Sequence, residues 1–479
     1  MGILYWRLTY LKKQTFLSSM EYHKIYKYYT QRGIKNIIVT KVSSLLTIVI
    51  LTGLASFLIS NISYTILFTE LDLGKALLPG LTSFNIVIIV FVSIYLLLQV
   101  LVFILVELKE ALIIRNEYQT LGITVDNSWP EIVSYLNKSA YDIARTILVQ
   151  ENYLIAMHLL EVFNVHYYFR YTKMFEWCIN YTLFNYLGNK NCDPEVLRRR
   201  FRLTGVITLI CSPIIALFLV GYYIIRYTYE WRNNPGSIAL KNWTRESDYT
   251  LRDFNELQGI FEERKAFAYK KACQYEKSNP VIGVITSSIG LISGAILSIL
   301  IIGSLINEKL LLEVNIVNGK SGIYFITLFG AIFGICKSFS SKEHPKDQGT
   351  LMAEIIKITG YNPPHKKYSD LHSEFKRVFN YKILNLFQEF IGVFAVPICM
   401  LKLDSEKIVS FINESTVYDQ TIGKSITKYS LFDWKEPKLE AKLEQSSLNF
   451  SSYYRSQKIT DSNYLINKPF RPTESTRLL

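Results

Sequence analysis

Hydrophobic and polar positions divide this chain into four long apolar runs, two apolar runs interrupted by proline, and polar stretches between them. The four long runs are 37–60, 84–106, 280–307 and 314–336. A helix rises about 1.5 Å per residue and a bilayer's hydrocarbon core is about 30 Å thick, so about 20 apolar residues cross it. Each run is long enough, and Lys320 inside the fourth is expected at a water interface. The two interrupted runs are 203–225, with Pro213 at its middle, and 383–401, with Glu389 and Pro397. Proline removes a backbone donor and clashes with the preceding turn, so each run is expected to bend or break.

Length alone allows 203–225 to be a kinked full crossing. Charge favours the other reading. Cytoplasmic segments are enriched in Lys and Arg, and the stretch that follows carries Arg226, Arg232, Lys241, Arg245, Arg252, Arg264, Lys265, Lys270, Lys271 and Lys277. Keeping that stretch inside requires a hairpin that enters the membrane and returns. The basic arm before the first run (Arg7, Lys12, Lys13, Lys24, Lys27, Arg32, Lys35 against Glu21) agrees, and places both termini in the cytoplasm.

The expectation is therefore an all-α polytopic membrane protein with four transmembrane helices and two re-entrant helical hairpins per protomer. It divides into a cytoplasmic arm (1–36), transmembrane helices 1 and 2 (37–106) around an external loop near 61–83, and a cytoplasmic helical region (107–279) holding the hairpin 203–225. Transmembrane helices 3 and 4 (280–337) follow, around an external loop near 308–320. A second cytoplasmic region (338–434) holds the hairpin 383–401, and a polar tail (435–479) reads as disordered. Two local signals refine this plan. Ser128-Trp129-Pro130-Glu131 reads as a helix start, and Ile132, Leu136, Ala140, Ile143 and Ile147 recur behind it as a core-facing stripe. Gly283, Ser287, Gly290, Gly294 and Ser298 form a stripe of small residues, open to a helix of another protomer or of the same one.

Composition changes the picture in one respect. The 479 residues carry a formal net charge of +13. In a soluble protein that excess would point to nucleic acid; here positive-inside bias and anionic headgroups account for it, and no nucleic-acid partner is expected. Arg198, Arg199, Arg200 and Arg202 cluster just before the first interrupted run. Six cysteines lie outside both external loops, so no disulfide framework is expected, and Cys336 reads as a buried thiol or an acylation site. No cleavable signal peptide is visible, and the first apolar run serves as the targeting signal.

Catalytic chemistry is not indicated. Gly423-Lys424-Ser425 lacks the earlier glycine of a phosphate loop, Tyr418 standing there, and neither HExxH nor GxSxG occurs. The histidines lack ligand spacing, so no metal or cofactor is expected. Passive transport, scaffolding or both remain.

A set of motifs in order then carries a resemblance. Glu151-Asn152-Tyr153-Leu154-Ile155-Ala156 and Thr172-Lys173-Met174-Phe175-Glu176-Trp177 precede Arg226-Tyr227, Glu230 and Asn234-Pro235-Gly236-Ser237-Ile238. Arg252-Asp253-Phe254-Asn255-Glu256-Leu257, Phe261-Glu262-Glu263-Arg264, Cys336-Lys337-Ser338-Phe339, Tyr361-Asn362-Pro363-Pro364-His365, Glu374-Phe375 and Phe379-Asn380-Tyr381-Lys382 follow. Over about residues 20–434 the chain resembles the autophagy-related protein 9 family.

The resemblance implies an interlocked homotrimer with four spans and two embedded hairpins per protomer. It implies an ATP-independent phospholipid scramblase, not an enzyme, on Golgi- and endosome-derived vesicles and the preautophagosomal membrane, working beside a lipid-transfer protein. It implies a lipid path through Thr327, Arg232 and Glu389. For Thr327 a hydroxyl bonded to its own helix is the other reading, and for Glu389 a structural pairing with Lys382 or a neighbouring protomer. Two charged positions of the family appear here as Asn233 and Asn234, and the arms are shorter than in many members. Tyr5-Trp6-Arg7-Leu8 and Glu474 with Leu478-Leu479 fit clathrin-adaptor sorting signals, and Asn61-Ile62-Ser63 is a glycosylation sequon in an external loop. The competing functions are a membrane scaffold that recruits autophagy partners and shapes vesicles without moving lipid, and an ion channel on the trimer axis.

Overall fold

The computed structural model describes residues 19–462 apart from 64–65, 67–76, 78–82, 125, 137–138, 185, 188–191, 234–239, 278–279, 308–314, 318–319, 340–347, 362–373, 421 and 433–435. The sorting signals at Tyr5, Leu8, Glu474, Leu478 and Leu479 lie outside the described residues.

In chain order the first helices are α1 (Ser19–Thr30), α2 (Ile34–Ser60), α3 (Ser83–Val102), a π-helical turn (Phe103–Leu108) and α4 (Lys109–Leu121). They are followed by α5 (Trp129–Tyr135), α6 (Ala140–Ile147), α7 (Val149–Leu159), α8 (Tyr167–Arg170), α9 (Lys173–Leu183) and α10 (Pro194–Asn233). Strand β1 (Lys241–Trp243) precedes α11 (Arg245–Thr250), α12 (Gln258–Lys277) and α13 (Pro280–Ile306). Then come β2 (Asn315–Val317), β3 (Lys320–Ser321), α14 (Gly322–Phe339), α15 (Gln348–Thr359) and β4 (Phe379–Tyr381). The chain closes with α16 (Lys382–Leu401), α17 (Ser405–Ser415), β5 (Thr416–Asp419), β6 (Lys424–Thr427) and α18 (Glu440–Ser462). The fold is mostly helical, and the strands pair as short antiparallel ribbons, β1 with β4, β2 with β3 and β5 with β6.

The first membrane hairpin packs α2 against α3. Arg32 and Gly33 both take left-handed backbone (φ 54° and 86°), and the chain bends by 72° between α1 and α2. Inside the hairpin Lys41 reaches Gln99 at 3.4 Å and Glu107 at 3.5 Å, over the Phe103 ring. The second hairpin packs α13 against α14. A Cβ on Gly290 would meet Cys336 at 3.1 Å, and one on Gly294 would meet the Phe333 ring at 3.1 Å. The centre of the small-residue stripe, Gly290 and Gly294, is thus filled by a helix of the same protomer, with Cys336 buried against it, while Ser287 and Ser298 are exposed. The apolar run expected from residue 314 becomes helical only at Gly322. Before it Asn315–Val317 pairs with Lys320–Ser321 as the β2–β3 ribbon, which puts Lys320 outside the helix.

The interrupted runs correct the expectation of a hairpin within each. Both are single helices, α10 of 40 residues with Pro213 inside it and α16 of 20 residues with Pro397 inside it. The physical reason is visible at Pro213. The carbonyl four residues back, Leu209, loses its usual donor, and the Ser212 hydroxyl donates to it at 2.8 Å. With that carbonyl satisfied, the helix continues. The two helices run antiparallel: Gly205 lies against Pro397 and Leu401 at one end, and Lys382 meets Glu230 at 2.8 Å at the other. Among the described residues, Pro194–Tyr223, Val284–Ile306 and Lys382–Leu401 are long and apolar enough to cross a membrane, with the bent α1–α2 pair a fourth.

The polar body is built from four cores. One joins Met157, Phe163, Phe175 and Cys178 to Phe201 of α10, Val396 and Met400 of α16 and Ile408 of α17. A second joins α1, α4, α5 and α6, and buries the predicted stripe at Ile132, Leu136, Ile143 and Ile147. The Ser128 amide donates to Glu131 at 3.0 Å, as the predicted helix start requires. A third packs α12 and α15 around Phe375 and Phe379.

The fourth core corrects the expectation of a disordered tail from residue 435. Leu439 and Leu443 bury against Phe254 and Tyr429. The Phe254 amide donates to Ser446 at 3.1 Å and Asn449 donates to Asp253 at 2.7 Å. This segment is polar because its contacts are polar, which composition alone does not distinguish from disorder.

His158 sits inside an aromatic cage, 3.8 Å from the Tyr249 ring between centroids and stacked on Tyr171. Burial, helped by the Arg170 charge, pushes the imidazole down from 6.5 to about 3. It is neutral in the fold, whereas the unfolded chain binds its proton below 6.5. Stability is therefore expected to fall as pH drops from 6.5 toward 3, and to be insensitive to this group above 6.5. Acid unfolding of His158→Leu followed by tryptophan emission should show a shallower slope, by one proton, in that window.

Candidate functional site

A cavity of about 240 Å³ opens where α10 and α16 meet the body. Its walls come from α10 (Tyr223, Arg226, Tyr227, Glu230), from α16 (Lys382, Asn385, Leu386, Glu389), from Lys173 at the start of α9, and from Asn242 to Arg245 and Asp248. The α10 positions recur at three and four residues, so one helical face supplies them. The β1–β4 ribbon fixes the ends: Lys241 pairs with Tyr381, which hands the chain to α16 at Lys382.

Charge lines the cavity in a mixed pattern, four cations (Lys173, Arg226, Arg245, Lys382) against three carboxylates (Glu230, Asp248, Glu389). Glu230 bridges Lys382 at 2.8 Å and Arg226 at 3.6 Å. Arg245 reaches Asp248 at 3.1 Å and Glu176 at 3.3 Å. Tyr223 and Tyr227 stack 5.6 Å apart beside them.

Glu389 is buried to 8 % exposure and accepts the Lys173 amide at 2.9 Å. That amide opens α9, so the carboxylate faces the positive end of a helix. Of the two structural partners open in the sequence, Lys382 pairs instead with Glu230. One turn further, Gly392 packs so closely on Thr172 that a Cβ would lie 2.8 Å from its methyl group.

Outside the cavity the same two helices expose apolar side chains. Leu203, Ile207, Ile210 and Ile214 of α10 and Ile383, Leu384, Phe387 and Ile391 of α16 are open. The two helices that line a charged, hydrogen-bonding notch thus also carry exposed apolar side chains.

The predicted path residues divide. Glu389 is in the cavity wall. Arg232 follows Glu230 on α10, and its side chain lies outside the described residues. Thr327 is on α14, exposed, and donates to the Ile323 carbonyl at 2.8 Å, the own-helix bond that its sequence left open. It is not among the cavity's lining residues. Asn61 closes the C-terminal end of α2, next to a bridge between Ile62 and Leu77. Sequence reasoning missed Lys173, Arg245 and the Lys41–Glu107 pair; for Lys41 the signal was a charge within an apolar run. A larger cavity of about 1000 Å³ lies at the α1–α2 bend, walled by polar side chains including Lys27, Arg32, Asp126 and Glu262.

A profile described as "Autophagy protein ATG9" matches residues 20–433. The chain is 25 % identical to autophagy-related protein 9 of Podospora anserina, over 91 % of this chain and 56 % of that protein. It is also 25 % identical to the protein of that name from Kluyveromyces lactis, over 93 % of this chain and 56 % of the relative. The chain thus spans about half the length of these curated relatives. The cryo-EM structure of Schizosaccharomyces pombe Atg9 superimposes with a TM-score of 0.64 at 24 % identity, covering 87 % of this chain and 98 % of that one, a likeness of fold.

Proposed function

The chain belongs to the ATG9 family of autophagy proteins, is an integral membrane protein, and on that premise we propose that it is an ATP-independent phospholipid scramblase acting in autophagosome formation. The observation that carries this reading is the mixed-charge notch between α10 and α16, backed by their exposed apolar faces. A zwitterionic headgroup crosses hydrocarbon slowly because it sheds its hydration there. In the notch Arg226 and Lys173 receive a phosphate, while Glu389 and Glu230 face an ammonium group. The acyl chains stay against Ile383, Leu384 and Phe387.

Contacts along α16 support half-insertion over a clean crossing. Its start is held by Glu230 and the ribbon, its middle by Gln388 donating to the Tyr168 carbonyl and Glu389 to α9, and its end by Val396 and Met400 in a body core. A helix bound to one polar body at both ends and between lies along that body. We place the body and both termini in the cytoplasm, on the charge bias of the sequence. Three protomers sharing Thr327 on their common axis, vesicles of Golgi and endosomal origin, and a lipid-transfer protein as partner complete the proposal.

Purified full-length chain in vesicles holding a tail-labelled phosphatidylcholine tests it. Added dithionite should bleach both leaflets, whereas protein-free vesicles keep the inner pool. Asn385→Trp, which fills the notch, is expected to slow bleaching about 5- to 10-fold, a rise of about 1–1.4 kcal/mol in the barrier. An intact inner pool in the wild type would leave the scaffold reading, and ion flux without lipid movement would leave the channel.

A further inference from the structure

Helix α9 buries Met174, Phe175, Cys178, Ile179, Thr182 and Leu183 and turns Trp177 and Tyr181 outward, as does Phe184 that caps its end. Those three rings follow at helical spacing and are 55 %, 62 % and 61 % exposed. A helix on a water-facing surface carries charge or amide on such a face. Here the face is aromatic, and Trp177 and Tyr181 are already stacked, 5.7 Å apart and nearly parallel.

Two features of the neighbouring helix identify what covers it. The first is charge. Arg200 of α10 donates to the Tyr181 carbonyl at 3.2 Å and lies over the Tyr186 ring, which brings the arginine cluster to the edge of the aromatic face. Arg198 is paired with Glu406 at 2.7 Å, while Arg199 and Arg202 are exposed. The second is continuity. Val196 and Leu203 flank Arg199 on α10, and the exposed apolar face runs on from them through Val206, Ile207, Ile210 and Ile214.

We propose that Trp177, Tyr181 and Phe184, with Arg199 and Arg202, form an interfacial anchor that enters an anionic lipid leaflet beside α10 and sets the depth of the α10–α16 pair. Indole and phenol rings settle at the headgroup level, where the ring is half apolar and its polar edge stays wet. Arginines at that level attract anionic headgroups. The apolar face of α10 and the ring face of α9 then form one continuous lipid surface.

Full-length chain in bilayer nanodiscs tests this by tryptophan depth. Trp177→Phe keeps an aromatic ring, and the emission it removes is the share of Trp177. Lipids brominated near the glycerol end should quench that share about twofold, and lipids brominated near the chain end less. Phosphatidylserine should deepen the quenching relative to pure phosphatidylcholine, and Arg199→Gln with Arg202→Gln should abolish that difference. A Trp177 share untouched by brominated lipid and quenched by aqueous acrylamide would overturn the anchor and leave the face to a soluble protein. Equal quenching with and without phosphatidylserine would overturn the role of the arginines. Lipid movement does not enter the measurement, so it is decided apart from the transport reading.

Discussion

Replacing Arg264 with alanine is expected to cost about 3–5 kcal/mol, because it leaves the buried Glu256 carboxylate without its cation. Arg264 lies 2.6 Å from Glu256 and 3.6 Å from Asp253, and its other amino group donates to the Thr359 carbonyl. Lys442 of α18 completes the cluster at 2.8 Å from Asp253. Burial works to raise the Asp253 carboxyl, but Lys442 and Arg264 outweigh it and hold it below the usual range. With Arg264 gone, Asp253 keeps only Lys442 and Asn449, and Glu256 is left buried. The melting temperature of the purified chain in detergent reads the loss. Arg252→Ala is the control, since that guanidinium reaches the Glu256 carbonyl at 3.2 Å and the expected cost is about 0.5–1.5 kcal/mol. Equal melting of the two variants would show that the cluster does not hold the body together.

Gly205→Val should open the seam between α10 and α16, at about 1–3 kcal/mol for overpacking. A Cβ there would sit 2.9 Å from the Pro397 carbonyl oxygen and 3.0 Å from a Leu401 methyl. The nearer obstacle is backbone, which cannot rotate aside, so the helices must separate. Gly259→Ala is the comparison, because nothing lies within 4 Å of its added carbon. Thermal unfolding of the two variants distinguishes a tight helix contact from a general penalty on losing glycine. A Gly205→Val protein that melts like the wild type would mean that the pair is looser than this packing requires.

Several helix limits were legible from apolar run lengths, because the apolar character of a run adds along the chain. Helices α2, α3 and α13 begin and end close to their predicted limits. Run length could not see Asn315–Val317 and Lys320–Ser321 leave helical geometry for a ribbon, because strands and helices share the same apolar residues. Pro213 misled for a local reason: a proline signals a break, but its neighbour Ser212 repairs it. The tail misled in the opposite way, since Lys442, Ser446 and Asn449 are polar residues recruited to a buried ionic cluster 190 or so positions away.

In the candidate site, Glu389 was visible because an acid in an apolar run is conspicuous. Its partner is a backbone amide of α9, which leaves no mark in side-chain composition. Lys173 from α9 and Arg245 and Asp248 from α11 reach the same cavity from two stretches distant in sequence, a convergence that only the folded chain reveals.

Gly290 and Gly294 of α13 are already occupied by α14 of their own protomer. Any neighbour approaching that hairpin meets Leu291, Ile292 and Ile299 instead, side chains that surrounding acyl tails solvate equally well. Swapping lipid for leucine yields little cohesion, so this face would add little to the subunit assembly proposed above, and salt acting on water-facing contacts should disturb that assembly more than detergent choice.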